Sequence, residues 1–187
     1  MEEEVSLYLE ETEEKMQESI NHLNLALSKI RAGKASPAML DGIMVDYYGT
    51  NTPLNQVSNI NTPDAKSILV QPWEKNMLHP IEKAIMAANI GLTPANNGEV
   101  IHINVPPLTE ERRHLLVKQV KAEGEDTKIG IRNSRKWAND EFKNLQKDGL
   151  SEDAEKDAMD EVQKLTDTYT KKVEDLTILK EKDILTI

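Results

Sequence analysis

Apolar residues recur at Val5, Leu9, Met16, Ile20, Leu23, Leu27 and Ile30, spaced by three, four or seven positions. That spacing puts them on one face and predicts a single helix over the first thirty residues. Glutamates crowd its first half, where they complement the positive end of the helix dipole. Gly33 and Ser36-Pro37 then mark a break.

From about 38 to 107 the pattern changes. Prolines at 53, 63, 72, 80, 94, 106 and 107 and glycines at 42, 49, 91 and 98 cut this segment into short pieces. Runs 43–48, 67–71 and 100–105 are rich in strand-favouring apolar residues. Between the last two, 80–89 reads as a short helix with proline in its first turn and Gly91 as its C-cap. The segment is expected to be a small mixed α/β unit.

Beyond Pro106-Pro107 the helical period returns, with Thr109 as candidate N-cap and acids in the first turn. A seam runs through Val117, Val120, Gly124, Thr127, Ile131, Ser134, Ala138 and Leu145. Its middle is built largely of small residues, which let neighbouring helices approach closely. A helix carrying it to about Lys147 would be on the order of 60 Å long. Asp148-Gly149 ends it, Ser151 caps a third helix, and Met159, Val162, Leu165, Tyr169, Val173, Leu176 and Leu179 form the third seam. The short connection makes these two helices antiparallel neighbours. The expected fold is therefore α+β: a three-helix bundle from 1–30 and 108–187, with 31–107 inserted. Two chain crossings, near 31–37 and 105–108, would act as a hinge rather than a free tether.

Composition sharpens this picture. With one Phe, two Trp and four Tyr, the cores must be aliphatic. The absence of cysteine removes disulfides, thiolate metal sites and a cysteine nucleophile. No apolar run approaches the roughly 20 residues needed to cross a membrane. The acidic start, Met1-Glu-Glu-Glu4, is the opposite of a signal or transit peptide, so a cytoplasmic protein is expected.

The net charge of −10 is unevenly spread: −6 over 1–30, −1 over 31–107, +2 over 108–149 and −5 over 150–187. Only the third segment is net basic, and an acidic balance overall does not exclude nucleic acid but confines contact to a local patch. There Lys121, Lys128, Arg132, Arg135 and Lys136 fall beside the seam and line one flank of the long helix. A solvated face pairing with the acidic first and third helices is the simpler account of such a flank. Against it, two arginines lie one turn apart, and guanidinium suits bidentate phosphate contact. Trp137 nearby is either packing or a base-stacking platform. At the crossings, Arg31 and Lys34 either cap the first helix or contact RNA, and Arg112-Arg113 could tie the second crossing to acidic neighbours.

Catalysis finds no support. His22, His79, His102 and His114 are scattered without ligand spacing, there is no glycine-rich phosphate loop, and no Ser, Asp or Glu lies in a catalytic motif. Acid pairs such as Glu13-Glu14 and Glu174-Asp175 read as solvated faces. Two rival classes stay open on the residues alone: a coiled-coil adaptor that binds protein, and a hydrolase using His79 or His102.

Six strings resemble the bacterial ribosome recycling factor family: Lys29-Ile-Arg-Ala-Gly-Lys-Ala-Ser-Pro37, Leu40-Asp-Gly-Ile-Met-Val-Asp-Tyr-Tyr-Gly-Thr50, Glu82-Lys-Ala-Ile-Met-Ala87, Pro106-Pro-Leu-Thr-Glu-Glu-Arg-Arg113, Ile131-Arg-Asn-Ser-Arg-Lys136 and Val162-Gln-Lys-Leu-Thr-Asp167. They fall in order across nearly the whole chain. The resemblance implies an L-shaped bundle with an inserted β/α/β domain. It also implies a monomeric, non-enzymatic factor without cofactor that acts on the post-termination ribosome. Its implied partners are large-subunit rRNA near the peptidyl-transferase region and the GTPase elongation factor G, with no membrane. By resemblance Arg132 and Arg135 are rRNA contacts, Arg135 foremost, with Lys128, Lys136 and Lys121 beside them. Arg31, Lys34, Pro106 and Pro107 would form the hinge or touch the ribosome. Lys34 stands where the family often has arginine, which keeps the charge and loses the bidentate fork.

Overall fold

The computed structural model describes residues 1–30 and 33–186. The chain divides into two compact units, Met1–Ala32 with Glu110–Ile187, and Gly33–Thr109.

The first unit holds three long helices, α1 (Glu2–Ser28), α3 (Glu110–Lys147) and α4 (Glu152–Leu185), and the second unit holds α2 (Leu78–Ala87). Their buried residues recur at three and four: Thr12, Met16, Ile20, Leu23 and Leu27 on α1, and Leu116, Val120, Gly124, Thr127, Ile131, Ser134, Ala138, Phe142 and Leu145 on α3. On α4 they are Ala158, Val162, Thr166, Tyr169, Val173 and Ile184. The expected seams shift at their edges. Leu116 is buried in place of Val117, and Phe142 fills the gap between Ala138 and Leu145. On α4, Met159, Leu165 and Leu176 are half-buried and Leu179 is 66% exposed.

Buried hydroxyls at the seam bond within their own helix. Thr12, Thr127, Ser134 and Thr166 each donate to the carbonyl four residues back, at 2.6, 2.9, 3.1 and 2.8 Å. Such back-bonds satisfy a polar group that burial would otherwise penalise. The helices therefore pack on small residues without needing a polar partner across the seam.

The α3–α4 corner is made by two capping devices. Leu150 N–H donates to Leu145 O at 2.9 Å and Gly149 N–H to Gln146 O at 3.1 Å, a Schellman closure with Gly149 at φ +117°. Leu145 and Leu150 then pack together with Phe142, Ala138, Ala158 and Val162. Ser151 Oγ accepts from Ala154 N–H at 3.2 Å to start α4, ahead of Glu152, Asp153 and Glu155.

The second unit has six strands and one helix, α2 (Leu78–Ala87). Strands β1 (Met44–Tyr47) and β2 (Thr50–Pro53) form a hairpin. Strands β3 (Ser58–Asp64), β4 (Ser67–Pro72), β5 (Pro94–Asn96) and β6 (Ile101–Asn104) form an antiparallel sheet in the order β3-β4-β6-β5. Its core joins Val45, Ile68, Val70, Ile101 and Ile103 to Leu78, Ile81 and Ile85 of α2. Strands β2, β3 and β5 lie outside the three apolar runs of the sequence. They are polar, carry Pro53, Pro63 and Pro94, and pair on one side only, as proline requires of a strand. The β/α/β expectation therefore gains three strands.

Both chain crossings are anchored on the β3–β4 turn. Ala35 N–H donates to Ala65 O and Val105 N–H to Lys66 O, each at 2.8 Å, while Asp64 Oδ1 accepts from Lys66 N–H at 2.7 Å. Gly33, at φ +82°, lies against Leu108, so that a Cβ there would stand 2.8 Å from Leu108 Cγ.

Candidate nucleic-acid interface

One helix positions all five cations of the basic flank. On α3 the seam faces inward, and Lys121, Lys128, Arg132, Arg135 and Lys136 follow it on the side toward α4 and solvent. Their surroundings divide them.

Lys128 is only 19% exposed, and its Nζ lies 3.3 Å from Glu174 of α4 and 3.5 Å from Glu125. Two carboxylates neutralise it, so it is a strut between α3 and α4. Arg135, half-buried, donates from Nη1 to Gln163 Oε1 of α4 at 3.1 Å, and Gln163 Nε2 donates to Asp167 Oδ1 at 2.9 Å. A guanidinium has five N–H donors, so most of this one remains available. Lys121, Arg132 and Lys136 are exposed, and none bonds or ion-pairs with another described residue. Arg132 and Arg135 thus offer two forks one turn apart on a helix edge. This geometry suits successive phosphate oxygens and reads no base.

Trp137 is occupied elsewhere. Lys15 Nζ of α1 sits 3.1 Å from its ring centroid, and Tyr8 meets it edge-on at 5.7 Å. It is packing at the α1–α3 contact rather than a stacking platform. Beside it, His22, Glu18, Glu123 and Asp126 border an open groove of about 400 Å³, and the described residues hold no cluster suited to a metal ion. His79 and His102 are both exposed in the second unit. Tyr169, buried against α1, donates to Glu13 Oε1 at 3.2 Å. Burial first, and the Glu13 charge second, raise its phenol above the usual 10.0. The acid pairs read as solvated faces therefore each supply one structural contact, through Glu13 and Glu174.

Of the expected hinge residues, Arg31 lies outside the described residues. Lys34, Pro106 and Pro107 are exposed in the second unit, close in sequence to the paired Gly33 and Leu108. Gln163 and Asp167 were not singled out from charge or spacing. Both fall in the 162–167 string that resembles the family, but their contacts depend on which α3 side chain lies opposite.

The family profile for ribosome recycling factor matches residues 23–185. The chain belongs to the ribosome recycling factor family. It is 60% identical over 187 residues, all of both chains, to the ribosome-recycling factor of Flavobacterium johnsoniae. With that of Cytophaga hutchinsonii it shares 56% over 185 residues, covering 99% of this chain and 100% of the relative. Among solved structures, it resembles a solution structure of the ribosome recycling factor at TM-score 0.79 and 35% identity, covering 98% of each chain. It also resembles, at TM-score 0.63 and 43% identity over 97% of this chain and 99% of the other, a Thermus thermophilus factor. That structure presents this factor and Escherichia coli elongation factor G bound to the E. coli post-termination complex. Membership makes the chain a ribosome-recycling translation factor. No helix among the described residues is long and apolar enough to cross a membrane.

Proposed function

We propose that the chain binds the post-termination ribosome through the α3 flank, with Arg132 and Arg135 on large-subunit rRNA phosphates near the peptidyl-transferase region. Lys136 and Lys121 add charge along the same edge, and Lys128 holds the edge in place. With elongation factor G, the bound factor separates the subunits, so that messenger and deacylated transfer RNA leave. It acts in the cytoplasm as a monomer, and it is no enzyme: GTP is hydrolysed by the partner.

The observation that carries this reading is the contrast along one helix edge. Lys128 is neutralised by two carboxylates, whereas the arginines beyond it keep their charge and most of their donors. Phosphate contact of this kind is independent of sequence and weakens with salt. Its test is binding of the Arg135→Ala variant to purified large subunits. Weakened binding with an intact fold is expected, and wild-type binding refutes the reading.

The second unit, 33–109, is proposed to pivot on the two crossings when the GTPase acts. Bonds from Ala35 and Val105 to the β3–β4 turn support this, since they confine bending to the few residues beyond. Stiffening 31–37 or 106–108 is expected to spare binding and slow subunit splitting; unchanged splitting rates refute the pivot.

A further inference from the structure

We infer that Gln163 of α4 is a positioning residue, which holds the Arg135 guanidinium ready for phosphate while leaving its charge intact. The inference rests on the reading that Arg135 meets rRNA. Two cations on the same flank are held from α4 in opposite ways. Lys128 is held by the carboxylates of Glu125 and Glu174, which cancel its charge. Arg135 is held by the neutral amide of Gln163, Nη1 to Oε1 at 3.1 Å. The amide cannot turn over without loss. Its NH₂ donates to Asp167 Oδ1 at 2.9 Å, and a carboxylate only accepts, so the carbonyl end must face the arginine.

Asp167 therefore orients the amide and stands one side chain further from the guanidinium than a direct partner would. A long arginine must surrender rotamer freedom on meeting a phosphate, and one already fixed by a hydrogen bond surrenders less. Arg132, which has no such partner among the described residues, lacks this preparation.

Large-subunit binding of full-length variants, measured over a range of salt, tests the inference. Gln163→Met keeps the length and helix preference and removes both amide bonds. It is expected to weaken binding about three- to tenfold, with the thermal midpoint moved by no more than about 2 °C. In an Arg135→Ala background the same change is expected to do nothing. Gln163→Glu keeps an acceptor for Arg135 and adds the charge that the amide avoids. Binding then weakens, and the slope of log affinity against log salt becomes shallower by about one unit, which a purely structural role would not produce.

Wild-type affinity in Gln163→Met, an equal loss with and without Arg135, or an unchanged slope in Gln163→Glu each overturns the inference. Harmless Arg135→Ala overturns the rRNA reading along with it. Harmful Arg135→Ala with harmless Gln163→Met overturns the positioning role alone.

Discussion

Gly124 of α3 and Thr177 of α4 approach so closely that a Cβ on the glycine would stand 2.6 Å from Thr177 Cγ2. Thr177 cannot simply turn aside, because its hydroxyl donates to Glu174 O at 2.9 Å. Glu174 in turn carries the Lys128 ion pair. The close approach thus sits beside the strut that borders the proposed interface.

Gly124→Ala is expected to destabilise the bundle by about 1–3 kcal/mol, the usual cost of overpacking, despite alanine's helix preference. Gly130 is the internal control. A Cβ there meets only Ser19 Oγ, at 3.4 Å, so Gly130→Ala is expected to stabilise by about 0.5–1 kcal/mol. Urea unfolding of the two variants checks both signs.

Lys128→Ala is expected to cost at most about 1 kcal/mol of stability, since its carboxylate partners are solvent-exposed. Its effect on large-subunit affinity is expected to be smaller than that of Arg132→Ala, although both remove one positive charge from the same flank. Parallel melting and pelleting assays separate the strut from the contact.

At the crossings, Gly33→Ala forces a side chain into positive φ and against Leu108. About 1–2 kcal/mol of backbone strain is expected, along with slowed subunit splitting and spared binding. Adding Leu108→Ala relieves the contact but not the strain, so only part of the effect is expected to return in a splitting assay.

Tyr169 gives the bundle an alkaline limit. Its folded phenol titrates above 10.0, so the folded state keeps a proton that the unfolded chain releases near that pH. The resulting stabilisation is complete below about pH 10 and is lost as pH rises through the higher folded value. Tyr169→Phe loses the hydrogen bonds to Glu13 and Gln17 and is less stable at neutral pH, by about 1 kcal/mol. Its stability is expected to fall less steeply than wild type above about pH 10 in pH-resolved denaturation.

The long helices were legible because a 3.6-residue period accumulates over many turns, and an error at one position does not move the stripe. A reading guided by hydrophobicity prefers Leu165 to Thr166, whereas the bundle buries Thr166 and leaves Leu165 half-buried. It can do so because the Thr166 hydroxyl is already satisfied by Val162 O. Strands β2, β3 and β5 were illegible for the converse reason: they are polar, short and defined by the neighbour they pair with.

The same limit applies at the flank. Charge and spacing located the basic flank and the family resemblance narrowed it to Arg132 and Arg135, but neither gave a sign that Lys128 would be neutralised by Glu174 or Arg135 held by Gln163. Those relations arise where side chains far apart in sequence meet across α3 and α4.

The central claim is that unneutralised guanidinium groups on α3 bind rRNA phosphate, and cosedimentation with purified large subunits at two salt concentrations tests it most directly. Wild-type binding is expected to fall with salt, and Arg135→Ala and Arg132→Ala each to weaken it by about tenfold or more at the lower salt. Pelleting of both variants like wild type at both salt concentrations would contradict the account.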